Sequence, residues 1–141
     1  MGLTALSGPQ TQKLLTSLLP CLAISKFRRN TTALSIRRDS TLFFANYTSP
    51  GDIDRVGLPG GGTPTALATG EMYPLGLTLD ANNLYWTSNM SGGYVATVPL
   101  AGGAVTQLAK TLNGPTGIAV DANAHYITAA VGGRVWRLSP P

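Results

Sequence analysis

The stretch GLTLDANNLYWTSNMSGGYVATVPLAGGAVTQLA, from Gly76 to Ala109, decides the fold. Apolar and β-branched residues alternate with polar ones at a period of two, not 3.6. Leu77 and Leu79 flank Thr78; Leu84, Trp86 and Ser88 flank Tyr85 and Thr87. Tyr94, Ala96 and Val98 flank Val95 and Thr97, and Val105 and Gln107 flank Thr106. This spacing predicts four short strands. Each junction carries turn chemistry: Asp80-Ala81-Asn82-Asn83, then Ser91-Gly92-Gly93, then Ala101-Gly102-Gly103. Aspartate caps such turns through its side chain, and glycine supplies positive φ. Pro74 and Pro115 stand just ahead of the first strand of successive units and are read as closing the preceding connection.

The same pattern recurs on both sides. GIAVDANAHYITAAVGGRVWRL runs from Gly117 to Leu138, and Gly76 to Gly117 is a step of 41. An earlier copy, ALSIRRDSTLFFANYTSPGDIDRVGLPGGGTPTALA, runs from Ala33 to Ala68, with Leu58 and Leu100 42 apart. A fixed period of this size marks an array of identical supersecondary units. Four antiparallel strands in each unit predict an all-β chain of four-stranded β-propeller blades, about three of them, as an open arc or half of a six-bladed ring. A β-solenoid is the alternative, although its repeats are usually shorter. The units are expected at 33–75, 76–116 and 117–141, after an N-terminal segment at 1–32. Within that segment Leu6 to Leu15 parallels Leu100 to Ala109 and reads as a remnant fourth strand, with an insertion from Lys26 to Thr32.

The residues that carry the repeat also carry a resemblance. Tyr85-Trp86-Thr87-Ser88 resembles the YWTD repeat of LDL-receptor-type propellers. Pro115 to Asp121 is similar to the NHL and other TolB-like six-bladed propellers, and the likeness spans roughly Ala33 to Leu138. The resemblance implies an extracytoplasmic or secreted protein. It departs from the family at Ser88, where YWTD has aspartate, and at Phe43 to Asn46 and Tyr126 to Ala129. The family's aspartate-mediated stitching between blades is therefore not expected.

Charge is scarce at 11% of residues and unevenly placed. Lys13, Lys26, Arg28, Arg29, Arg37 and Arg38 oppose only Asp39 in the first 50 residues. Only Phe27 lies among the Lys26–Arg38 bases, so no aromatic ladder for stacking nucleobases exists, and no nucleic-acid partner is expected. No apolar run is long enough for a transmembrane helix. Leu14 to Ile24 is interrupted by Pro20 and lacks a small-residue cleavage site, so it is not read as a signal peptide. Cys21 is the single cysteine, read as a structural thiol.

No metal, cofactor or catalytic residue is expected. Asp80 and Asp121 repeat with their DAN turns and read as turn caps. Asp52 and Asp54 read as a solvated hairpin with a local ion pair to Arg55. His125 stands where Leu84 stands in the previous unit, and Trp86 and Trp136 read as packing between blades. Asn30, Asn46 and Asn89 lie in Asn-x-Ser/Thr sequons, which matter only in a eukaryotic secretory pathway. In a four-stranded meander the second-to-third and fourth-to-first connections share one end. These are Tyr47–Gly51, Ser88–Gly93 and Ala129–Gly133, with Thr69–Pro74 and Lys110–Pro115. Their best ligand contacts are Glu71, Met72, Tyr73, Asn89, Met90 and Asn113. The functional expectation is a non-catalytic binding or scaffold module for a protein or cell-envelope component, with two copies pairing into a ring. The alternatives are part of a lactonase or strictosidine-synthase-like hydrolase, or an inert propeller fragment.

Overall fold

The structure is a computed structural model that describes residues 35–58 and 62–139. The expectations for Leu6–Leu15, Cys21, Asn30 and the Lys26–Thr32 insertion lie outside those residues. Eleven strands and no helix make up the described chain. The first sheet is a meander of β1 (Ser35–Arg38), β2 (Thr41–Ala45), β3 (Gly51–Gly57) and β4 (Thr65–Glu71). The second is β5 (Pro74–Leu79), β6 (Asn83–Ser88), β7 (Gly93–Pro99) and β8 (Thr106–Leu112). The third has β9 (Pro115–Val120), β10 (His125–Ala129) and β11 (Arg134–Leu138). Every pairing is antiparallel, and β5 lies against both β1 and β9. These are three propeller blades, the third with three strands. Pro74 and Pro115 are the first residues of β5 and β9 rather than the last of a connection.

Burial follows from stacking. In β6 the five residues Leu84 to Ser88 are all buried, because both faces of the middle blade are covered. Leu84, Trp86, Ala96 and Val98 pack with Phe43, Ile53 and Leu77 of the first interface. Val95 turns the other way and packs with Leu112 and Ile127 of the second. Each such aliphatic side chain contributes roughly 1.5–3 kcal/mol by leaving water. In β10 only alternate residues are buried, since one face is open: His125, Ile127 and Ala129 are covered, Tyr126 and Thr128 exposed. Trp136 departs from expectation. It is 41% exposed against 0% for Trp86, with the Arg134 guanidinium 5.7 Å from its ring centroid. Its register position matches Ala96, a third-strand site, whereas Trp86 is on the second strand.

The blades are joined without the YWTD aspartate. Gly76 N donates to Thr87 Oγ1 at 2.8 Å, and Thr87 Oγ1 donates to Thr116 O of the next blade at 2.9 Å. A Cβ on Gly76 would overlap that same carbonyl, so only glycine admits the approach. Threonine at the third position of Tyr-Trp-Thr-Ser therefore supplies an inter-blade hydrogen bond. Ser88, in the aspartate's place, donates to Met72 O at 2.6 Å.

Candidate functional site: the loop end of the blades

Backbone hydrogen bonds fasten the loops at one end of the blades in a repeating pattern. Tyr73 N donates to Thr48 O, and Gly114 N donates to Met90 O one period later. Asn89 N donates to Tyr73 O, and Ala130 N to Gly114 O, at 2.9 and 3.0 Å. Each fourth-to-first link is thus clamped between two second-to-third loops. The residue at the clamp needs positive φ. Gly114 has φ 59°, and Tyr73 holds φ 46° in the same role. A bulky non-glycine residue in the left-handed region is strained, and such strain gathers at ligand clamps.

Tyr73 is 39% exposed and Met72 36% exposed. The Tyr73 ring lies 5.5 Å from that of Tyr47, tilted 49°. Tyr47 Oη donates to Asn89 Oδ1 at 3.0 Å, and Asn89 Nδ2 donates to Pro115 O at 3.1 Å. Ser49 Oγ lies 3.3 Å from Met72 Sδ. Aromatic and thioether groups are thereby held in place at an exposed surface, an arrangement suited to apolar contacts with a partner.

Met72, Tyr73, Asn89 and Met90 come together here, with Met90 and Asn89 half-buried. Asn113 is exposed on the next link, beside Gly114. Glu71 is placed differently: it is only 8% exposed. Its Oε2 accepts from Trp86 Nε1 at 2.9 Å and from Tyr94 Oη at 2.7 Å. Tyr94 in turn accepts from Met72 N at 3.3 Å. Burial and the Glu71 hydrogen bond push the Tyr94 phenol above its ordinary range. Glu71 thus fixes the backbone beneath Met72 from inside. Tyr47 was not among the expected contacts; its sequence signal is its step of 42 to Asn89, which makes the two loop residues equivalent. The sequon amides are engaged: Asn46 Nδ2 donates to Asp54 Oδ2 at 2.8 Å, and Asn89 Nδ2 is bonded as above.

At the opposite end the turn caps form as expected. Asp80 Oδ1 accepts from Asn82 N and Asn83 N at 2.7 and 2.8 Å; Asp121 Oδ1 accepts from Asn123 N and Ala124 N at 2.7 and 2.8 Å. Tyr85 Oη donates to Asp80 Oδ2 at 2.6 Å. Burial opposes ionisation of Asp80, but the Tyr85 bond and the two backbone N–H groups outweigh it and hold the carboxyl below its ordinary range. Burial and the same bond raise the Tyr85 phenol. His125 is buried, with its ring 4.9 Å from Tyr85. Its Nδ1 has no hydrogen-bond partner among the described residues. The GDIDR stretch is strand β3, not a hairpin, so Asp54 and Arg55 project to opposite faces. Arg55 instead donates to Leu100 O of the second blade at 2.7 Å. Among the described residues no three His, Cys, Asp or Glu side chains are placed to hold a metal ion.

Neither a protein-family model nor a curated protein matches this sequence. Solved structures do. A chain in the crystal structure of a nidogen/laminin complex superposes with a TM-score of 0.60 at 20% identity. The match covers 71% of this chain and 39% of that one. The crystal structure of the computationally designed Ika4 protein gives 0.55 at 13% identity, covering 74% of this chain and 64% of that one. The matched part is less than two thirds of either chain. At these identities the likeness establishes the fold, a β-propeller arrangement, and nothing finer.

Proposed function

We propose that this chain is a non-catalytic binding module that engages a protein or cell-envelope component through the loop end of its blades. One observation carries the reading: Met72 and Tyr73 stand exposed beside Tyr47 on a link clamped by hydrogen bonds from both neighbouring loops. A rigid aromatic group such as Tyr73 costs little entropy to bury against a partner, and the flexible thioether of Met72 adapts to the partner's shape. Asn89, Met90 and Asn113 extend the contact surface. The nidogen/laminin complex supports the reading by analogy, since it contains a propeller of this fold in a protein complex. An extracytoplasmic location accords with the same likeness. No helix among the described residues is long and apolar enough to cross a membrane. We further propose that two copies pair into one ring, so that two such surfaces share an axis.

Binding of soluble extracellular and envelope proteins to the immobilised chain tests this. The wild type gives saturable binding to a partner. Tyr73→Asp and Met72→Asp lose it, while Ala122→Glu, in the exposed turn at the opposite end, retains it. Equal binding by all four chains contradicts the assignment. A lactone-hydrolysis assay with added Ca²⁺ tests the hydrolase alternative, and turnover there overturns the non-catalytic reading.

A further inference from the structure

The end of the blades opposite those loops holds a second arrangement, built on two arginines. Arg38 pairs with Thr41, and Arg55 pairs with Phe43 and with Thr65. Thr41 and Phe43 are two residues apart on β2, and directly opposed residues share a face. Arg38 and Arg55 therefore project from one face of the first sheet, toward the second blade. There they line a cleft of about 490 Å³ with Thr41, Phe43, Thr65 and Leu100.

Each guanidinium is anchored at one nitrogen. Arg38 Nη1 donates to Asp80 O at 2.6 Å and to Ala81 O at 2.7 Å. Arg55 Nη1 donates to Leu100 O at 2.7 Å. All three carbonyls belong to hairpin turns of the second blade. These bonds use both protons of Arg38 Nη1 and one of Arg55 Nη1, and Arg38 Nε faces Asp39, which leaves Arg38 Nη2 and the rest of the Arg55 fork unbonded. Stapling the blades explains the Nη1 contacts. It does not explain two like charges brought to one cleft, which repel each other. One acid, Asp39, also lines the cleft, with its Oδ2 3.8 Å from Arg38 Nε. Its side chain is 89% exposed, so water weakens that pair.

We propose that this cleft between the first two blades binds a tetrahedral oxyanion, presented as a sulfate or phosphate monoester, through Arg38 and Arg55. Arg55, held through one Nη1 proton, keeps its Nε–Nη2 edge for parallel N–H bonds to such an oxyanion, and Arg38 adds a single N–H from Nη2. Thr41 and Thr65 hydroxyls supply further donors, while Phe43 and Leu100 form an apolar wall. The site is distinct from the Met72–Tyr73 surface, and its failure leaves that surface untouched.

The test is an NMR titration of the arginine Nε–H groups in the full chain. The probes are sodium sulfate, sodium phosphate, methyl sulfate and methyl phosphate, with sodium chloride at matched ionic strength. The Arg38 and Arg55 signals shift together and saturate with a tetrahedral oxyanion but not with chloride, while those of Arg134 and Arg137 stay put. In Arg55→Gln the Arg38 response weakens roughly tenfold or more, the usual penalty for losing one charged partner. Arg55→Lys, which keeps the charge without the fork, loses most of the affinity if Arg55→Gln fails to fold. Saturation by methyl sulfate alone or methyl phosphate alone supports the site and names its ester. A linear response shared by all arginines, or one unchanged in both variants, overturns it.

Discussion

Glu71 shows how a residue at a binding face can act from within. Its Oε2 satisfies Trp86 Nε1 and Tyr94 Oη in a buried position. Glu71→Ala leaves the buried Trp86 N–H unpaired, at about 1–3 kcal/mol, and the half-buried Tyr94 O–H at a smaller cost. We expect urea denaturation to show a loss of about 2–4 kcal/mol for Glu71→Ala and a smaller one for Glu71→Gln, which keeps an acceptor. The Tyr85–Asp80 bond makes a second residue-level prediction, in pH. The Asp80 carboxyl is held below its usual 3.8, so the stability it confers is present above that value and is lost as pH falls through the folded value. The Tyr85 phenol is raised above its usual 10.0, so its contribution is present below 10.0 and is lost as pH climbs through the folded value. Both limbs report the same 2.6 Å bond. Melting temperature against pH is therefore expected to fall at both extremes, and Tyr85→Phe flattens part of both falls.

Between elements, the contact of β5 with β9 depends on one missing side chain. A Cβ at Gly76 would overlap Thr116 O, a backbone atom that cannot step aside. At Gly117, one repeat on, a Cβ would meet only Thr128 Oγ1, at 2.9 Å. Overpacking of this kind costs about 1–3 kcal/mol. Gly76→Ala is expected to reach that range in a denaturant titration and Gly117→Ala to fall well short of it; equal losses would contradict the stacking order. The strands and turns behind this contact were legible in the sequence, because period-two alternation and the DAN and Gly-Gly turns are local signals. The inter-blade bonds were not. The family's aspartate is absent, and nothing local in Tyr85–Ser88 shows that Thr87 reaches Thr116 across 29 residues. For the same reason Glu71 reads as a loop residue in sequence, whereas its partners come from strands 15 and 23 residues later. Arg38 and Arg55 were hidden likewise, since their carbonyl partners lie 42 to 45 residues away.

At the scale of the molecule, the outward face of the third blade repeats a face that the second blade buries. Tyr126 and Val135 are 37% and 70% exposed, whereas their equivalents Tyr85 and Val95 are 6% and 0%. Thr128 accepts from Gly117 N at 2.9 Å as Thr87 does from Gly76 N, yet stays exposed. That face exposes Tyr126 and Val135 with Arg137 opposite Tyr126, and exposed apolar side chains of this kind drive association. Placing a charge there, as in Val135→Glu, is expected to weaken self-association while leaving the circular dichroism of the β-sheet unchanged. Three blades closing with three more give a six-bladed ring, within the four to eight blades that propellers use. The most direct test of this assembly is the solution mass of the chain by sedimentation equilibrium across a range of concentrations. Two 14.6 kDa chains paired in a ring predict a species of twice that mass. A monodisperse monomer with a cooperative, high-temperature melt contradicts it.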